Sequence, residues 1–209
     1  MISGRFSAAL WCVTLLAPAA AWSNDDLDSL LATLVREPPQ SIAFTEFHSS
    51  ALLDRELIVS GMLDYAGPRK LSRIVVAPYA ERTDIDGDDV RVLRADRPIR
   101  RFSLRRAPEL GGLLTGFSAL LSGDRAALER EFELALAQGT GGWQLTLEPR
   151  NARVRARIAG IRVRGAGDAP LCIVTVAQSG GRTTELLLGN AATDPDAAGQ
   201  RDRHCAALP

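Results

Sequence analysis

Short β-rich runs joined by very tight turns leave this chain few folds to choose from. Arg55 to Tyr65 (RELIVSGMLDY) and Lys70 to Val76 (KLSRIVV) are separated only by Ala66-Gly67-Pro68. Glu81 to Ile85 and Val90 to Leu93 flank Asp86-Gly87-Asp88-Asp89, and Asp-Gly is a strong hairpin signal. A parallel pair needs a crossover of about a dozen residues or more, so runs this close must pair antiparallel. Ser41 to His48 and Ile99 to Leu104 add a strand at each end, which makes an antiparallel meander.

Helical patterns interrupt the strands. Leu27, Leu30, Leu31 and Leu34 form one apolar stripe over Asn24 to Arg36, with acids in the first turn and Pro38-Pro39 as the stop. Pro108 to Ser122 places Leu110, Leu113, Leu114, Phe117, Leu120 and Leu121 at helical spacing. Gly111, Gly112 and Gly116 weaken that helix, each by about 1 kcal/mol against Ala. Such a helix suits a movable cover, and it equally suits a buried helix with glycine contacts. Asp124 caps a short helix over Arg125 to Glu131. Strands return at Phe132 to Ala137, Trp143 to Glu148, Ile158 to Arg164, Leu171 to Ala177 and Thr183 to Leu188, the last two across Ser179-Gly180-Gly181. Residues 190–209 are polar, small and aperiodic, and read as a disordered tail.

The N-terminus bears on where the protein works. A basic start at Arg5, the apolar run Phe6 to Ala17 and small residues after Pro18 are laid out as a cleaved export signal over 1–23. The run is shorter than the roughly 20 residues that span a bilayer. The expected location is the periplasm of a Gram-negative envelope, where there is no ATP or nicotinamide pool. Cys12 falls in the signal, which leaves Cys172 and Cys205. A disulfide between them suits an oxidising compartment; two free thiols suit the sequence equally, because spacing does not give distance. The composition is 46% hydrophobic and 24% charged with a formal net charge of zero, so electrostatic binding of nucleic acid has no driver.

Catalytic constellations are absent. His48 and His204 are the two histidines, and no G-x-S-x-G accompanies them, so a hydrolase built on His48 is the weakest functional reading. H-E-x-x-H, C-x-x-C and a phosphate-cradling loop are missing, and no metal or cofactor is expected. Asp84, Asp86, Asp88 and Asp89 begin like a calcium loop, but the glycine comes too early and Ala95 stands where a bidentate Glu is required.

The ordered set of motifs resembles the LolA/LolB-like periplasmic lipoprotein carriers, and most closely the LolA-related proteins. Phe44-Thr45-Glu46 is similar to the family's first strand, and Gly61-Met62-Leu63 with Gly67-Pro68 to its second strand and proline turn. Pro78 and Asp86-Gly87 follow at matching distances; Pro108, Leu113 and Leu114 match the start of its helical cover. Leu145-Thr146-Leu147-Glu148-Pro149 matches its L-x-L-x-P strand, with Ile158 and Ile161 in the strand after. The resemblance spans 24–189. It departs at Gly67, where members that accept lipoproteins carry Arg before the turn proline.

The resemblance implies a mainly β fold: an incomplete, half-open antiparallel barrel covered by helices, around an apolar cavity for acyl chains. The expected function is a non-enzymatic, monomeric periplasmic carrier of a lipid or lipoprotein, with fatty-acyl or aryl-polyene-type cargo favoured by Gly67. Its partners would be the cargo, an inner-membrane exporter and an outer-membrane acceptor. The alternative is an envelope interaction protein with a filled core. The residues expected at the lipid are Phe44, Leu63, Tyr65, Leu71, Val75, Leu113, Leu114, Phe117, Leu121, Leu145 and Leu147. Each could instead be plain core. Arg73 alternates with Leu71 and Val75, so it either faces the cavity, where it needs an anionic partner or headgroup, or points to solvent.

Overall fold

A computed structural model describes residues 24–50, 54–106, 108–178 and 182–208. The segment expected as an export signal, 1–23, and the expected turn at Ser179-Gly180-Gly181 lie outside them. Helix α1 (Asn24–Leu34) leads into six strands: β1 (Gln40–Ser50), β2 (Leu57–Gly67), β3 (Lys70–Ala77), β4 (Glu81–Asp86), β5 (Asp89–Arg94) and β6 (Arg97–Ser103). A 3-10 turn (Leu104–Arg106), α2 (Pro108–Ser122) and α3 (Arg125–Glu131) follow. Then come β7 (Phe132–Gly139), β8 (Gly142–Pro149), α4 (Ala152–Arg155), β9 (Ile158–Ala166), β10 (Ala169–Ala177) and β11 (Arg182–Leu188). Two short helices, α5 (Asn190–Thr193) and α6 (Ala197–His204), close the chain.

The eleven strands form one antiparallel sheet in the order β6-β5-β4-β3-β2-β1-β11-β10-β9-β8-β7. The chain lays down β1 to β6 outward, crosses by α2 and α3 to the other edge, and returns through β7 to β11 until β11 pairs with β1. The edges β6 and β7 stay apart, so the barrel is incomplete, as expected. Helices cover one face. There Leu27, Leu30, Leu31 and Leu34 of α1 pack with Phe44, Val59, Leu63, Val75, Leu145, Leu147 and Ile161 in the main core. Period-two alternation explains which side chains take part: Trp143, Leu145 and Leu147 are buried on β8 while Gln144 and Thr146 between them are less so. Gly61 stands where a Cβ would lie 1.8 Å from the Ile74 carbonyl oxygen, so no larger residue fits without moving β3.

The other face carries its own small core, which corrects the expected disordered tail. Phe47, Cys172, Val174 and Leu187 of β1, β10 and β11 are buried under Ala191, Ala192 and Cys205. Thr45 Oγ1 donates to the Ala192 carbonyl at 2.8 Å, and Asp196 caps α6 through the Gly199 amide. Cys172 and Cys205 are disulfide-bonded, with Cα atoms 5.3 Å apart. Composition missed this segment because its apolar contacts are few and its order depends on a remote cross-link. That link closes a sequence separation of 33 residues, for which chain entropy gives about 3–4 kcal/mol. Reduction, or Cys205→Ser, should lower the urea-unfolding free energy by about that amount. An unchanged midpoint under reductant would contradict it.

Candidate functional site

Curvature of the sheet creates the site. Phe102 on β6 and Ile173 on β10 line the same cavity, although seven strand steps separate them in the sheet. At about 4.8 Å per step, a flat sheet would hold them about 34 Å apart. The sheet therefore curls, and α2 lies across the hollow. Leu114 and Phe117 face inward from α2, while Leu120 and Leu121 are buried. At Gly116 a Cβ would meet the Phe132 ring at 3.2 Å, so the glycine lets α2 approach β7 closely. Polar contacts among the described residues latch the helix at its edges. The Arg36 amide donates to the Leu121 carbonyl at 2.8 Å, and the Arg69 amide to Ser118 Oγ at 3.1 Å.

The cavity beneath has a volume of about 450 Å³. Its apolar walls are Leu63, Leu71, Ile85, Val92, Phe102, Leu114, Phe117, Ile173 and Leu186. A neighbouring hollow of about 400 Å³ shares Leu71, Ile85, Leu114 and Phe117 with it and adds Tyr65 and Val154. The Asp88 carboxylate at its rim accepts from Arg69 and from Arg105 Nε, the latter at 2.8 Å. Hydrogen bonds from Arg105 and then Arg69 hold that carboxyl below the usual range. Arg69, just after Pro68, thus turns to the β4–β5 tip, and Lys70 pairs with Asp86 there.

The expected lipid-contact residues divide into groups. Leu63, Leu71, Arg73, Leu114 and Phe117 line the larger cavity, and Tyr65 lines the neighbouring one. Phe44, Val75 and Leu145 are fully packed, as is Leu121, which sits where α2 meets α1. Leu147, also buried, lines a void of about 10 Å³, too small for an acyl chain. These five are core residues because their neighbours on facing elements fill the space. The Leu113 side chain lies outside the described residues. Glu46, His48, Thr83, Ile85, Phe102, Thr175, Thr184 and Leu186 line the cavity without having been expected at the lipid. Period-two alternation on β1 carried that signal for Glu46 and His48, both in register with Phe44.

Arg73 does face the cavity, and its partner is internal. Its guanidinium is hydrogen-bonded to Glu46 Oε2, across β2, and stacks 4.9 Å from the Phe44 ring centroid. Glu46 also lies 3.4 Å from His48 Nε2, and His48 Nδ1 is 3.5 Å from Thr184 Oγ1. Burial pushes the Glu46 carboxyl upward, but the His48 hydrogen bond and the Arg73 charge outweigh it and hold the group below its ordinary range.

A profile of the family described as outer membrane lipoprotein carrier protein LolA-like matches residues 18–207. The chain belongs to that family. Its fold is similar to solved structures that include the LolA superfamily protein NE2245 of Nitrosomonas europaea, at 13% identity and TM-score 0.41 over 78% of this chain and 91% of that one. A conserved protein of Thermus thermophilus is 12% identical, with TM-score 0.44 over 78% and 84% of the two chains. A chain of the Pseudomonas aeruginosa MucA/MucB complex is 11% identical, with TM-score 0.39 over 88% and 64%. Among curated proteins nothing matches. In this LolA-like chain no group of side chains among the described residues could hold a metal ion.

The depressed Glu46 carboxyl sets a sign for acid stability. A carboxyl whose folded value lies below its unfolded one, about 4.3, stabilises fully above that value and stops doing so as pH falls through the folded one. The difference in urea midpoint between wild type and Glu46→Gln should therefore shrink as the pH falls below about 4.3 toward the folded value. A pH-independent difference would refute the assignment.

Proposed function

We propose that this LolA-like protein is a non-enzymatic carrier of the bacterial envelope that shields the acyl chains of a lipid or lipoprotein behind α2. The observation that carries this reading is the apolar cavity of about 450 Å³ between the curled sheet and helix α2. That volume falls in the range of about 300–1,000 Å³ found for small-molecule pockets. Each buried CH₂ contributes roughly 0.8 kcal/mol, so even a short acyl chain gains enough to leave water. Release needs the reverse, and a glycine-bearing helix latched at its edges can open locally at small cost.

Export through the 1–23 segment and delivery between membranes belong to the same proposal. Fatty-acyl cargo remains the favoured class, because Gly67 occupies the turn position and the nearby Arg69 is engaged with Asp88. The alternative of an interaction protein with a filled core requires that the hollow hold nothing.

Native mass spectrometry of freshly purified protein should show a bound lipid or fatty-acyl species. Leu71→Trp, which fills the part of the wall shared by both hollows, should weaken binding of a fluorescent acyl probe at least about tenfold. Its melting temperature should fall by only a few degrees, because Leu71 is half-buried rather than packed in the core. Protein that is empty and does not bind the probe would overturn the carrier reading.

A further inference from the structure

The polar corner of the cavity carries charges that are already paired within the chain. Strand register brings Glu46 of β1, Arg73 of β3, Glu81 of β4 and Arg94 of β5 along one end of the helix-covered face. Beyond the Glu46–Arg73 pair, Arg73 Nη1 lies 3.9 Å from Glu81 Oε1, and Arg94 Nη1 lies 3.8 Å from Glu81 Oε2. Asp96 adds a third carboxylate, 3.8 Å from Arg94 Nε, so both guanidiniums of the corner face counter-charges of this chain. Both members of the central pair are shielded, with side chains 14% exposed for Glu46 and 26% for Arg73. Each guanidinium is also seated on a ring: Arg73 on Phe44, and Arg94 on Tyr79 at 4.3 Å from its centroid. Arg73 cannot turn toward a ligand without leaving both its carboxylate and its ring.

Such a corner treats ligand heads unequally. An ionised carboxylate entering it would lose water, find the nearest cations already neutralised, and sit beside Glu46. Removing an unpaired charge from water costs far more than removing an ester, amide or hydroxyl. Neutral heads, by contrast, have partners: the side chains of Thr83, Thr175 and Thr184 line the same cavity, and each hydroxyl can donate one hydrogen bond and accept others. We propose that the Glu46–Arg73 pair makes the cavity selective for acyl chains ending in a neutral polar head, such as an ester, amide or alcohol, and against free fatty acids. The proposal rests on the carrier reading and adds the chemical class of the cargo's head.

Displacement of a fluorescent acyl probe by monolauroylglycerol and by laurate, at about pH 8 where a carboxylic acid in water is ionised, tests it. Wild type should bind the monoacylglycerol at least about tenfold more tightly than laurate. Glu46→Gln removes the carboxylate hydrogen-bonded to Arg73 and leaves the more distant Glu81, so the preference for the monoacylglycerol over laurate should fall at least about tenfold. A thermal melt checks that the variant is folded. Should it not fold, Arg73→Met serves instead: it keeps the carboxylate, removes the cation, and must not improve laurate binding. Equal or tighter laurate binding by wild type would overturn the selectivity and leave the carrier reading standing. So would a Glu46→Gln protein, folded, with unchanged preference. Binding of neither ligand would remove the carrier reading and this inference with it.

Discussion

The pairing of β1 with β11 is the contact on which the rest of this molecule depends. It runs from Phe44↔Leu188 to Ser50↔Arg182 and is the seam between a half built outward from β1 and a half built inward from the far edge. Without it there would be two smaller sheets, each with an apolar face in water. With it, one long twisted sheet curls until β6 and β10 look into the same space. The connection through α2 and α3 must then cross the hollow, so the helix that covers the cavity follows from the order in which the strands are laid down.

Curling leaves an unevenly filled interior. On the side of β8 and β9, α1, α2 and α3 meet large buried side chains such as Phe132, Leu145 and Leu147, which leave a void of about 10 Å³ beside Leu147. Toward β3 to β6, α2 lies over the sheet without filling the space beneath it, and hydrocarbon walls face one another across the cavity. The Glu46–Arg73 pair sits at the boundary between these regions. A charge pair buried there gives up hydration and recovers it through mutual hydrogen bonding, with His48 and Phe44 as further contacts. The same two side chains that hold this boundary are the ones to which ligand selectivity is proposed to belong.

Much of the fold was legible along the chain, for local reasons. The α2 span, the Asp124-capped α3 and the Asp86-Gly87 hairpin follow from capping, helical spacing and turn chemistry, all short-range effects. The site was legible only in part. Leu63, Leu71, Leu114 and Phe117 look no different in sequence from Phe44, Val75, Leu121, Leu145 and Leu147, yet the first group borders space and the second is filled. Both groups are apolar residues at correct strand or helix spacing, and spacing reports the face, not what stands opposite. The tail was misread for a related reason: Ala191, Ala192 and Cys205 gain order from Phe47 and Cys172, far away along the chain.

Local chemistry therefore determined that this chain makes short antiparallel strands, where they turn, which side chains point to the helix-covered face, and that one loose apolar helix interrupts them. Those outcomes depend on backbone torsions and on neighbours a few residues apart. Only the tertiary structure decided that the sheet stays open, that the hollow lies on the β3 to β6 side, and that Arg73 turns to Glu46 rather than to solvent. Each of these is set by contacts between segments distant in sequence, whose geometry exists only after the β1–β11 seam has closed.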